Sequence, residues 1–308
     1  MGRTTGLTSG RGGTGRRSGL KIRFPNGSAG SSPAARTMIE TDMLPTISLI
    51  GIPTDQHSSF LRGPAGAPAA IRAALASEHG NSGTERGTEI GLDFALADRG
   101  DVAIAEDAGD DERIRAAIAA CPWPVIALGG DHAISFPVVE ALARRHGAFD
   151  ILHFDAHPDL YDELDGNRRS HASPFARIME SGHARRLVQV GIRTLNRHCR
   201  EQAARFGVEI IEARHFRDDW RPRFDRPLYV SIDIDALDPA FAPGVSHHEP
   251  GGLTVRQIVN ILLDLDTPII GGDVVELNPT RDINGMTAVV AAKLVKELAA
   301  AMAANAAD

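Results

Sequence analysis

Only two cysteines, Cys121 and Cys199, occur among 308 residues. That is too few for a disulfide framework, so a reducing, cytoplasmic setting is expected, with both thiols buried or incidental. No apolar run approaches the ~18 residues of a membrane span, so none is expected. Acids are missing from the start of the chain. Residues 1–37 carry Arg3, Arg11, Arg16, Arg17, Lys21, Arg23 and Arg36, and the first acid is Glu40. This stretch is Gly/Ser/Thr-rich and lacks hydrophobic periodicity, so residues 1–44 are expected to be a disordered basic segment. Its composition resembles a transit peptide without an evident amphipathic helix. An upstream start assignment, with Met38 or Met43 as the real beginning, is the simpler account. GRGGTG at 10–15 matches a dinucleotide-binding fingerprint, but no strand precedes it and no helix follows, so that chemistry is excluded.

The remainder is rich in acids. With seven of the 33 basic residues in the first 37 positions, 26 remain against 40 acids. An acidic body excludes a nucleic-acid binder and suits metal ions or cationic ligands. A hydrophobic content of 43% allows a large core.

From Pro45 the chain alternates between β-branched runs and helical stretches. Strands are expected at 46–51, 125–130, 151–154, 187–191, 208–211, 228–235 and 269–277. Helices are expected near 67–76, 111–120, 136–146, 173–181, 198–206, 255–264 and 286–304. Thr254 and Gln257 fit a capping box before the helix at 255. Strands separated by ten-residue helical stretches imply βαβ units and a parallel sheet covered on both faces. No linker or repeat divides the chain, so 45–308 is expected to be one α/β domain.

In such a sheet ligands gather at the carboxyl ends of the strands. Polar clusters stand there. GGDH brings Asp131 and His132; DAHPD brings Asp155, His157 and Asp159; SIDIDALDP brings Asp233, Asp235 and Asp238; DVVELNP brings Glu276. Asp155, His157 and Asp159 are spaced to point the same way in an extended segment. Two imidazoles with four carboxylates, from His132, Asp155, His157, Asp159, Asp233 and Asp235, are too many for one tetrahedral zinc site. They suit two divalent ions bridged by shared carboxylates, and N/O ligation without cysteine favours Mn²⁺. Such a pair activates water for hydrolysis.

GGDH, then DAHPD, then S-x-D-x-D-x-x-D-P resembles the ureohydrolase family of arginases and agmatinases, over about residues 48–300. The resemblance implies a three-layer α/β/α sandwich around a parallel eight-stranded sheet, two Mn²⁺ ions, and hydrolysis of a small guanidino substrate to urea and an amine. It implies that His132, Asp155, Asp159 and Asp233 hold the first manganese. His157, Asp155, Asp233 and Asp235 hold the second. By the same resemblance Asp159 also accepts a hydrogen bond from the nucleophile, His171 in SHASPF shuttles a proton, and Glu276 grips the guanidinium. It further implies a homo-oligomer, trimer or hexamer.

The stretch DPAFAPGVSHHEPGGL (238–253) looks most like plant-type arginases, although its EPGGL portion, with Glu249, is also agmatinase-like. The loop LYDELDGNRRS (160–170) carries Asp162, Glu163 and Asp165, which would suit a substrate lacking a carboxylate. Agmatine is therefore the first expectation, with arginine as the alternative that Arg168 and Arg169 could serve. His247 and His248 are candidates to line the pocket. A two-metal phosphoesterase would need an asparagine-bearing cluster that is absent. A single-zinc deacetylase of the same fold would use fewer carboxylates. An inactive binding protein would be expected to have lost at least one ligand.

Overall fold

The computed structural model describes residues 44–306. The expected unstructured segment 1–44 lies almost wholly outside the described residues. Eight strands form one sheet: β1 (Thr46–Ile52), β2 (Ala95–Asp101), β3 (Val125–Gly129), β4 (Phe149–Phe154), β5 (Ala184–Ile192), β6 (Glu209–Glu212), β7 (Leu228–Asp233) and β8 (Ile269–Val275). Their order is β2-β1-β3-β8-β7-β4-β5-β6, and every pairing is parallel. Seven helices cover it: α1 (Ala67–Leu75), α2 (Asp110–Ala120), α3 (Ser135–His146), α4 (Pro174–Glu180), α5 (Arg197–Phe206), α6 (Val255–Asp264) and α7 (Met286–Ala304).

Strand alternation divides the core into two layers. In β7, Leu228, Val230 and Ile232 face one side, packed with Ile71 of α1, Ile258 of α6 and Leu294 of α7. Tyr229 faces the other, with Ile118 of α2, Val138 of α3 and Ile178 of α4. β4 splits likewise, Leu152 and Phe154 against Phe149 and Ile151. The result is the expected three-layer α/β/α sandwich. Burial of both sheet faces is why the central strands read as continuous apolar runs rather than alternating ones.

Two elements differ from expectation. β2 (ALADRGD) was not anticipated; it is an edge strand, half-buried at Ala95–Ala97 and exposed beyond, and lacks an apolar run. The strand expected at 228–235 stops at Asp233, whose carboxylate accepts the Asp235 N–H at 2.7 Å and turns the chain into a short 3-10 helix. No helix among the described residues is long and apolar enough to cross a membrane.

Candidate metal and hydrolytic centre

The four clusters sit on β3, β8, β7 and β4, which are neighbours at the centre of the sheet despite lying far apart in sequence. Local backbone devices aim each cluster. After β3, Gly130 lets the chain pass against Thr54: a Cβ there would lie 1.7 Å from the Thr54 carbonyl oxygen. The Asp131 N–H donates to that oxygen, and the Glu276 N–H donates to the Gly130 carbonyl. Asp159 and Glu276 both take positive φ, 49° and 64°. Non-glycine residues seldom do so, and such positions cluster at functional sites.

His132 is fully buried. Its Nδ1 lies 3.2 Å from an Asp155 oxygen and 3.1 Å from oxygens of Asp159 and Asp233. None of these meets hydrogen-bond geometry, so Nδ1 is a buried polar atom without a partner. The half-buried His157 places its Nδ1 3.1 Å from Asp235 and 3.4 Å from Asp155. All six expected ligands are thus brought together around the shared Asp155.

The electrostatics of the cage are unbalanced. Burial opposes a charge on His132, but Asp155, Asp159 and Asp233 outweigh it and hold its pKa well above the ordinary value. Burial likewise opposes charge on Asp155, and His153, His132 and His157 overcome it, keeping Asp155 well below the carboxylate range. Burial, with repulsion from Asp235 and Asp155, pushes Asp233 well above that range. Like charges this close cannot all ionise on protein groups alone. An unpartnered imidazole nitrogen facing three carboxylates, in a mixed N/O donor set, fits divalent cations.

Beside the cage, Glu276 Oε1 accepts the His132 N–H at 2.9 Å and pairs with His171 Nδ1 at 2.8 Å. Its other oxygen has no partner among the described residues, so a paired grip on a guanidinium requires Oε1 to be shared with His171. Burial disfavours charge on His171, yet Glu276, Asp131 and Asp159 raise its pKa to about 9. Burial and the Glu276 carboxylate push Asp131 up to about 7.

Some placements differ from the sequence reading. His247 does line the site, its ring 5.2 Å from His171 and 5.9 Å from His157. His248 is exposed and bonds the Pro243 carbonyl. Asp238 turns away to cap the backbone of Ala240, Gly251 and Gly252. His153 was missed. It is buried, stacks on Phe175, and contacts Asp155 through Nε2 at 2.8 Å. The signal was present: His153 shares the two-residue spacing of Asp155, His157 and Asp159. Ser59 was also missed; its N–H and Oγ lie 3.1 and 2.8 Å from His171 Nε2.

Of the acids of loop 160–170, Asp162 is neutralised by neighbouring guanidiniums. Asp162 pairs with Arg168 at 2.7 Å and Arg177 at 2.9 Å, while Glu163 and Asp165 are exposed. Arg169 is committed to Asp111.

The sequence profile described as the arginase family matches residues 45–301. Arginase 1, mitochondrial, of Arabidopsis thaliana is 53% identical over 274 residues, 82% of this chain and 80% of that protein. The guanidino acid hydrolase, mitochondrial, of Homo sapiens is 34% identical over 280 residues, 82% and 77% of the two chains. Among solved structures, arginase from Medicago truncatula superposes with a TM-score of 0.80 at 48% identity, covering 85% of this chain and 89% of its own.

Proposed function

This chain belongs to the arginase family of hydrolases, and on that premise we propose that it is a binuclear manganese enzyme cleaving L-arginine to L-ornithine and urea. The observation that carries the hydrolytic reading is the unpartnered Nδ1 of His132 amid three carboxylate oxygens, beside the Glu276–His171 pair. The agmatine expectation is not retained. It rested on an acidic loop whose Asp162 is paired with Arg168 and Arg177, and relatives near half identity are named arginases. The human relative makes other guanidino acids the alternative.

His132, Asp155, Asp159 and Asp233 would hold one Mn²⁺, and His157, Asp155, Asp233 and Asp235 the other. Bound there, the pair would supply the Lewis acidity that makes water nucleophilic near neutral pH. The protein's own groups do the rest. The free Glu276 oxygen takes a guanidinium N–H and turns the planar group toward the cage. Asp159 accepts a hydrogen bond from the attacking water. His171 delivers a proton to the leaving amine from Nε2, the ring nitrogen not held by Glu276.

The family resemblance extends the proposal to a homo-oligomer, trimer or hexamer. For location, the plant relatives are named mitochondrial, and residues 1–37 share the acid-free, basic composition of transit segments. The cytoplasmic expectation rests on the cysteine count alone. Urea release after Mn²⁺ loading, with arginine, agmatine and a guanidino acid in parallel, tests the function. Arginine is expected to be the best substrate. Urea from none of the three would refute the enzyme reading, and a preference for agmatine would refute the substrate.

A further inference from the structure

Beneath the cage, between the sheet and α3, lies a second carboxylate with no place in the chemistry above. Asp273 is in β8 and wholly buried. Three hydroxyls converge on it: Tyr229 at 2.5 Å, Ser231 at 2.6 Å and Ser135 at 2.6 Å. Ser231 stands directly across from Asp273 in the parallel β7–β8 ladder. Its Oγ is also 2.9 Å from His132 Nε2.

Hydrogen-bond arithmetic fixes the protons along this line. Each of the three hydroxyls donates its single proton to an Asp273 oxygen. Ser231 Oγ can then only accept from His132, which places the ring proton on Nε2. The lone pair is left on Nδ1, the atom that faces Asp155, Asp159 and Asp233 without a partner. We infer that Asp273 is a positioning residue that, through Ser231, locks His132 as the Nε2–H tautomer and presents Nδ1 as a ready cation ligand. The inference rests on the metal reading of the site. It explains why an acid is buried in a central strand, where a carboxylate without such partners is costly. Buried partners behind a metal-binding imidazole commonly fix its tautomer and orientation in this way.

Asp273→Asn reverses the line. An amide N–H now donates to Ser231, whose proton turns toward His132 Nε2 and drives the ring proton onto Nδ1. Ser231→Ala removes the link while leaving Asp273 its bonds to Tyr229 and Ser135. Tyr229→Phe takes a hydrogen bond from the same carboxylate without touching the link. The measurement is the Mn²⁺ affinity of the full chain, by calorimetric titration of chelator-stripped protein. Ser231→Ala and Asp273→Asn are expected to weaken binding by about 10- to 100-fold, and Ser231→Thr, which keeps the hydroxyl, to restore it. Tyr229→Phe is expected to lower the unfolding midpoint and leave affinity unchanged. Should Asp273→Asn fail to fold, Ser231→Ala decides alone. Affinity within about twofold of the parent in Ser231→Ala, or an equal loss in Tyr229→Phe, would overturn the relay. A parent chain that takes up no Mn²⁺ refutes the cation reading itself, so the two failures are distinct.

Discussion

The backbone N–H of Ser59 points at Nε2 of His171 from 3.1 Å, and the Ser59 hydroxyl reaches the same atom at 2.8 Å. An N–H can only donate, so in this arrangement Nε2 carries a lone pair and the ring proton sits on Nδ1, facing Glu276. The hydroxyl can serve either state, accepting from Nε2–H once the ring is charged. Protonation of His171 therefore expels one Ser59 group and recruits the other. Ser59→Ala keeps the N–H and removes the acceptor, so it is expected to pull the His171 pKa below about 9. Ring NMR titration of the metal-free protein reads this directly; an unchanged titration would contradict it.

The same pair sets a pH dependence of stability. Glu276, Asp131 and Asp159 raise the pKa of His171 to about 9 in the folded chain, against burial, whereas an unfolded histidine titrates at roughly 6.5. A raised folded pKa means the contribution is fully present below about 6.5 and is lost as pH rises through about 9. The gap corresponds to at most roughly 3–4 kcal/mol. Denaturant unfolding of metal-free protein at roughly pH 6 and pH 10 is expected to show this loss in the parent and not in His171→Asn. Equal losses in both would remove the assignment.

What could be read from sequence follows from where the information lies. α6 was legible because Thr254 and Gln257 form both halves of a capping box within four residues. The buried strands were legible because both faces are covered. β2 was not, because an exposed edge strand needs no apolar run. The six candidate ligands were legible because they stand at or just after the ends of three apolar strands. The Asp273 line was not: its partners Tyr229, Ser231 and Ser135 come from another strand and a helix. The loop acids misled because composition shows Asp162 but not the guanidiniums of Arg168 and Arg177 that neutralise it.

Gly130 is expected to be intolerant of any side chain. A Cβ would sit 1.7 Å from the Thr54 carbonyl oxygen, a backbone atom that cannot swing away. The same carbonyl holds the Asp131 N–H, and the Gly130 carbonyl holds the Glu276 N–H, so displacement propagates to both His132 and Glu276. Gly130→Ala should cost about 3 kcal/mol or more, beyond ordinary overpacking. The unfolding midpoint and urea release together check it; a stable, active variant would show that the close approach is dispensable.

Removing His157 separates the two halves of the cage. His132 is wholly buried with its Nδ1 close to three carboxylates, whereas His157 is half-buried with its Nδ1 close to two. Under the proposed two-ion arrangement, loss of the outer imidazole would leave Asp155 and Asp233 for the inner ion but strip the outer one of its only nitrogen donor. His157→Ala is therefore expected to fall from two bound Mn²⁺ per chain toward one, and urea release to drop by more than the roughly 100-fold typical of losing an outer contact. His132→Ala removes the donor at the centre of the cage and is expected to lose both ions. Metal analysis after exhaustive dialysis, with urea assays on the same samples, reads both effects. A His157→Ala protein retaining two ions and parental turnover would mean that the hydrolytic centre lies elsewhere.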